Sequence, residues 1–119
     1  MIAHKEITVK KELTANVEIQ MHHVLGDILI SNLITNAIRH NNKGGTIFVK
    51  LDSEKLIFCN AGEPLKSDST KLFERFYKEN NSTESTGLGL ALVKQIVDTN
   101  GMKIAYFYSD KMHCFEITF

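Results

Sequence analysis

Between His22 and Asn41 the apolar residues Leu25, Ile28, Leu29, Leu33 and Ala37 recur at three- and four-residue intervals, the period of an α-helix that turns one face to a core. At roughly 100° per residue, Asn32, Asn36, Arg39 and His40 fall within one arc of about 100° centred on Asn36. Such a helix must bury an apolar stripe against another layer while a polar edge runs beside it. A solvated face accounts for one asparagine, but four polar residues on one edge ask for more, since an amide left unpaired beside apolar packing costs roughly 1 to 3 kcal/mol. An Asn oxygen with a nearby cation is also what binding Mg²⁺ and phosphate uses. From these residues alone, a ligand-facing edge and a plain surface edge both stay open.

The second layer is legible as strands. TIFVKL (46–51) and KLIFCN (55–60) are β-rich runs separated by Asp52-Ser53-Glu54, a hairpin turn. MKIAYFYS (102–109) and CFEITF (114–119) close the chain, the latter with Phe115, Ile117 and Phe119 on one face and Glu116 and Thr118 on the other. Residues 2–20 are expected to form two short strands, around Ile7 and Val9 and around Val17 and Ile19, with a turn near Thr14–Asn16. A second helix is expected over Leu88–Asp98, capped by Ser85 or Thr86 and stopped by Asn100-Gly101. A short helix over Thr70–Tyr77 would carry Leu72, Phe73 and Phe76, and KENNSTEST after it is polar throughout. The order β-β-α-β-β-α-β-β predicts an α+β fold: a two-layer sandwich whose mixed, mostly antiparallel sheet is covered on one face by helices. At 119 residues, 1–119 reads as one domain.

Fourteen Lys plus Arg balance fourteen Asp plus Glu, which argues against nucleic acid or a polybasic membrane contact as partner. Polar residues interrupt every apolar run before it reaches bilayer length, and no leader-like segment opens the chain, so a cytoplasmic location is expected. Cys59 and Cys114 lie in strand-like apolar runs without metal-ligand spacing and are read as reduced thiols packed as small hydrophobes. His4, His22, His23 and His113 are read as ordinary surface or partly buried histidines.

Gly87-Leu88-Gly89 opens the second helix, where backbone N–H groups and the positive helix end can approach phosphate. It is weak by itself: the chain has no GxxxxGK[ST], and position 92 is Leu, not the third glycine of GxGxxG.

In order, these pieces resemble the ATP-binding catalytic domain of sensor histidine kinases, with its Bergerat fold, in the superfamily that includes DNA gyrase, the ninety-kilodalton heat-shock chaperone and the mismatch-repair ATPases. NLITNAIRHN (32–41) resembles the family's asparagine box, LIFCNAGEPL (56–65) its first glycine box, LFERFYK (72–78) its phenylalanine box and STGLGLALVKQIV (85–97) its second glycine box. The likeness covers essentially the whole chain. It implies ATP and Mg²⁺ as cofactors. Asn36 would give its side-chain oxygen to Mg²⁺, Asn32 would support it, and Arg39 and His40 would lie beside phosphates and ribose, making Asn36 and Arg39 the catalytic candidates. Asn60 would stand at the adenine amino group, while Gly62, Lys78, Thr86, Gly87, Leu88, Gly89 and Leu90 complete the implied nucleotide site.

Three positions depart from the family pattern: Asn60 replaces the Asp that accepts from the adenine amino group, Pro64 the second glycine of its box, and Ser85 the leading glycine of the last. Asn32 also stands where hydrolytic members of the superfamily carry a Glu that polarises water, so transfer to a protein histidine is favoured over hydrolysis. No stretch resembles the family's His-bearing phosphoacceptor hairpin. The resemblance therefore implies a fragment whose partners are ATP, the dimerising phosphoacceptor domain of a parent kinase, itself membrane-anchored or not, and, indirectly, a response regulator. A nucleotide-holding pseudokinase and an anti-sigma-type Ser/Thr kinase are the alternatives.

Overall fold

The structure, a computed structural model, describes residues 7–41, 44–65, 71–74 and 89–119. Its elements run β1 (Thr8–Leu13), α1 (His23–Arg39), β2 (Thr46–Leu51), β3 (Lys55–Ala61), α2 (Gly89–Thr99), β4 (Lys103–Ser109) and β5 (Met112–Thr118). The strands form one sheet in the order β1-β2-β3-β5-β4. Only β1 and β2 pair in parallel; the other three neighbours are antiparallel. This is the expected mixed sheet with two helices.

The N-terminal expectation needs one correction. Residues 17–20 form no strand, and the chain turns at Ala15 and Asn16, the latter at a φ of 62°. β1 pairs in parallel with β2, and parallel neighbours need a crossover rather than a tight return. The chain therefore leaves the sheet after the turn and comes back through α1. β1 is exposed along its whole length, and Lys10, Lys11 and Glu12 put charge on that open edge, which discourages pairing with other chains.

Period-two alternation sorts the sheet into faces. Leu56, Phe58 and Asn60 of β3 are registered against Ile117, Phe115 and His113 of β5, and the apolar members of these rows join Leu29 and Leu33 of α1 and Val93, Ile96 and Val97 of α2 in the core. Leu33, Val93, Val97 and Ile117 are between 0 and 2% exposed; burying each such side chain contributes roughly 1.5 to 3 kcal/mol. α2 ends as its sequence requires: Asn100 Nδ2 donates to Ile96 O at 2.8 Å, and Gly101 takes a φ of +71°. Of the expected short helix, 71–74 form a single turn whose Leu72 is buried and whose Phe73 meets Phe115 edge-on at 6.0 Å. Phe76 lies outside the described residues.

Cys59 and Cys114 contradict the expectation of free thiols. They are registered partners on β3 and β5, with Cα atoms 4.1 Å apart, and form a disulfide on the sheet face away from the helices. Directly opposed antiparallel residues outside the hydrogen-bonded pairs are the closest neighbours a sheet offers, and 55 positions of sequence separate these two.

The β2–β3 turn is held by Asp52, whose Oδ1 accepts from the N–H groups of Glu54 at 2.8 Å and Lys55 at 3.0 Å. These bonds, with lesser help from the charges of Lys50 and Lys55, hold its carboxyl below the usual carboxylate range. A depressed folded-state pKa stabilises the fold above the unfolded value and loses that contribution as pH falls through the folded one. Asp52→Ala should therefore lower the melting temperature most at neutral pH, and the gap to the parent should close on acidification; a gap that does not change with pH would contradict the turn's dependence on the carboxylate. Separately, thiol titration of denatured, unreduced protein should find no free thiol, and two after reduction. Two free thiols before reduction would remove the disulfide.

Candidate functional site

The expected polar edge of α1 is present, and it is half-buried: Asn32, Asn36, Arg39 and His40 are all partly covered, whereas Ser31, Ile34 and Thr35 on the outer side are exposed. The cover comes from α2, which packs along α1, and from β3 beneath it. His22 starts the helix by accepting from the Val24 N–H through Nδ1 at 3.2 Å. At the other end the His40 N–H donates to Asn36 O at 3.1 Å.

The two asparagines of the edge do different things. Asn32 donates through Nδ2 to Ile28 O one turn back, at 2.8 Å, and aims its Oδ1 at Gly89, where an added Cβ would lie 3.0 Å from that oxygen. Gly89 is thus the residue whose lack of a side chain lets the start of α2 approach α1. The Asn36 side chain makes no hydrogen bond with any described residue. Its half-buried amide spends neither donors nor acceptor on the described residues.

At the end of β3 the polar continuation of the core row begins. Asn60 is 2% exposed. Its Nδ2 reaches His40 O at 3.5 Å and Ala61 O at 3.4 Å, and no described donor reaches Oδ1. These contacts draw the C-terminus of α1 onto the end of β3. Gly62 follows, buried, with His40 O 3.6 Å from where its Cβ would stand.

Of the residues singled out from sequence, the structure therefore brings Asn60 and Gly62 against His40 and brings Asn32 against Gly89, with Asn36 and Arg39 on the same helix edge and Leu90 half-buried in the first turn of α2. Lys78, Thr86, Gly87 and Leu88 lie outside the described residues, as do the expected caps Ser85 and Thr86. Tyr106, Tyr108 and His113 belong to the same neighbourhood and were not anticipated. His113 is 9% exposed, against the reading of it as an ordinary surface or partly buried histidine; its Nδ1 is 2.6 Å from Tyr106 Oη, and Tyr108 Oη donates to Gly62 O at 2.8 Å. The signal for His113 was present: the alternation that sends Phe115 and Ile117 inward sends position 113 inward too.

Among the described residues no three His, Cys, Asp or Glu side chains come together as a metal ligand set. Mg²⁺ held with a nucleotide takes most of its coordination sphere from substrate phosphates and water and needs only one or two protein oxygens. Asn36 Oδ1 fits that demand. No helix of the described residues is long and apolar enough to cross a membrane.

Comparison with known proteins agrees with this arrangement. Residues 16–119 match the family described as histidine kinase-, DNA gyrase B-, and HSP90-like ATPase. The sensor histidine kinase HprS of Escherichia coli is 36% identical over 96% of this chain and 26% of its own length. The sensor histidine kinase ArsS of Helicobacter pylori is 27% identical over 87% of the chain and 25% of its own length. The chain thus spans about a quarter of these relatives. Among solved structures, the catalytic domain of histidine kinase ThkA superposes with a TM-score of 0.83 at 22% identity, covering 98% of this chain and 80% of that one. Full-length ShkA in complex with AMPPNP superposes at 0.70 and 18% identity, over 98% of this chain and 26% of that one. With a family match over most of its length and the same sheet and helix arrangement, this chain belongs to the histidine kinase-, DNA gyrase B- and HSP90-like ATPase family, and it is similar to the catalytic part of sensor histidine kinases.

Proposed function

We propose that the chain binds Mg-ATP between the polar edge of α1, the end of β3 and the start of α2, and supplies the γ-phosphate for phosphorylation of a histidine on another domain of its parent kinase. The observation that carries the reading is Asn60: an amide almost wholly buried whose Oδ1 takes no hydrogen bond from a described residue. That oxygen is open to a donor such as the adenine amino group. Its Nδ2 lies at 3.4 and 3.5 Å from the Ala61 and His40 carbonyls, which leaves the oxygen as the end of the amide for a ligand donor.

Asn36 then offers its free amide oxygen on the triphosphate side, with Arg39 and His40 along the same edge. Mg²⁺, when bound, would neutralise charge on the phosphates. Asn32 bears on the fate of the phosphoryl group. Its amide is tied to the helix backbone and carries no charge, so it is no general base for water. Phosphoryl transfer depends chiefly on positioning and electrostatic stabilisation, and without an activated water the group is kept for a protein acceptor.

Calorimetry should show ATP uptake that depends on magnesium, weakened about tenfold or more by Asn36→Ala, which corresponds to roughly 1.4 kcal/mol. Asn60→Ala should weaken ATP binding and narrow the preference for ATP over GTP; unchanged affinities would remove Asn60 from the site. With γ-labelled ATP and a separately made phosphoacceptor hairpin of the parent kinase, label should appear on the hairpin as an acid-labile phosphohistidine. Binding without transfer would leave a nucleotide-holding module in place of a kinase.

A further inference from the structure

We propose that the β4–β5 hairpin is a clasp that sets the position of Gly62, with His113 as the positioning residue; this rests on the nucleotide reading above, which places Asn60, two residues before Gly62, against the base. The clasp has three contacts. Lys111 O, in the two-residue turn of the hairpin, accepts from the Gly62 N–H at 3.2 Å. Tyr108 Oη donates to Gly62 O at 2.8 Å. The imidazole of His113 lies against the Gly62 Cα, so that an added Cβ would stand 2.9 Å from Cδ2 and 3.0 Å from Nε2.

A ring can often rotate away from an intruding methyl group. This one is held: its Nδ1 shares a 2.6 Å hydrogen bond with Tyr106 Oη, and the rings of Tyr106 and Tyr108 flank it with centroids 5.9 and 4.9 Å away. The turn is equally constrained, since Asp110 and Lys111 take φ values of 52° and 61°, the left-handed pair that a tight hairpin uses. Both polar groups of Gly62 are thus spent on the hairpin, and its Cα rests on an anchored ring.

The consequence reaches Asn60 through the backbone. Asn60 is the registered partner of His113 across β3 and β5, and its Nδ2 donates to the Ala61 carbonyl, the oxygen of the peptide bond that leads into Gly62. Loosening the clasp frees the 60–62 segment to shift, which misplaces the Asn60 oxygen without His113 touching the nucleotide.

The test is size compensation. Gly62→Ala should weaken ATP binding about tenfold or more by forcing the segment off the ring. Adding His113→Ser opens the space and should recover most of that loss, although His113→Ser alone binds more weakly than the parent. Tyr108→Phe, which removes one hydrogen bond and no volume the core needs, should cost roughly three- to tenfold in ATP affinity with little change in melting temperature. It should also speed exchange of the Gly62 amide in the nucleotide-free protein. A double variant no better than Gly62→Ala, or Tyr108→Phe matching the parent in both affinity and exchange, overturns the clasp. Should Gly62→Ala not fold, the Tyr108→Phe arm decides. A parent that binds no adenine nucleotide would sink the nucleotide reading instead, and amide exchange would still report on the clasp.

Discussion

Phe58 of β3 and Phe115 of β5 lie directly opposite one another beneath α1 and α2, and that pair sets the register on which the rest of the molecule is built. Because side chains alternate across a strand, one register determines two faces at once. On the helix side the rows run from Leu56 and Ile117 through the two phenylalanines to Asn60 and His113, so the core turns polar at one end. On the other side the same register sets Cys59 against Cys114. A slip of one residue would expose the core and bury Ile57 and Glu116 in its place.

α1 answers to this sheet and to α2 together. Its aliphatic stripe, Leu29, Leu33 and Ala37, is buried, and packing by α2 covers part of the polar edge that would otherwise be a solvated face. The cover divides the labour between the two amides. Asn32 serves the contact between helices, with one bond to its own backbone and its oxygen against Gly89. Asn36, one turn on, makes no side-chain hydrogen bond with a described residue. Similar residues four positions apart acquire different chemistry from what stands beside each.

Much of this was readable from the chain. The long helix, the Asp52 turn, the second helix and the inward set Phe115 and Ile117 follow from local pattern, because periodicity and turn chemistry are properties of neighbours in sequence. Val17 and Ile19 alternate as a strand would and form none, because past Asn16 the chain leaves the sheet for the crossover through α1 that the parallel β1–β2 pair requires. His113 looked ordinary in isolation and came against Asn60 and Gly62 only when β4 and β5 folded back along β3. The two cysteines had no spacing to announce them.

By itself, then, the sequence determined most of the elements, the class of fold and the family, through amphipathic period and four motifs in order. The tertiary structure decided what no local pattern contains: the Cys59–Cys114 disulfide, the meeting of Asn32 with Gly89, and the seat of Gly62 on His113. The reason is distance along the chain. Each of those contacts joins residues far apart in sequence, and contacts of that range follow from strand order and register, which only the packed sheet and helices define.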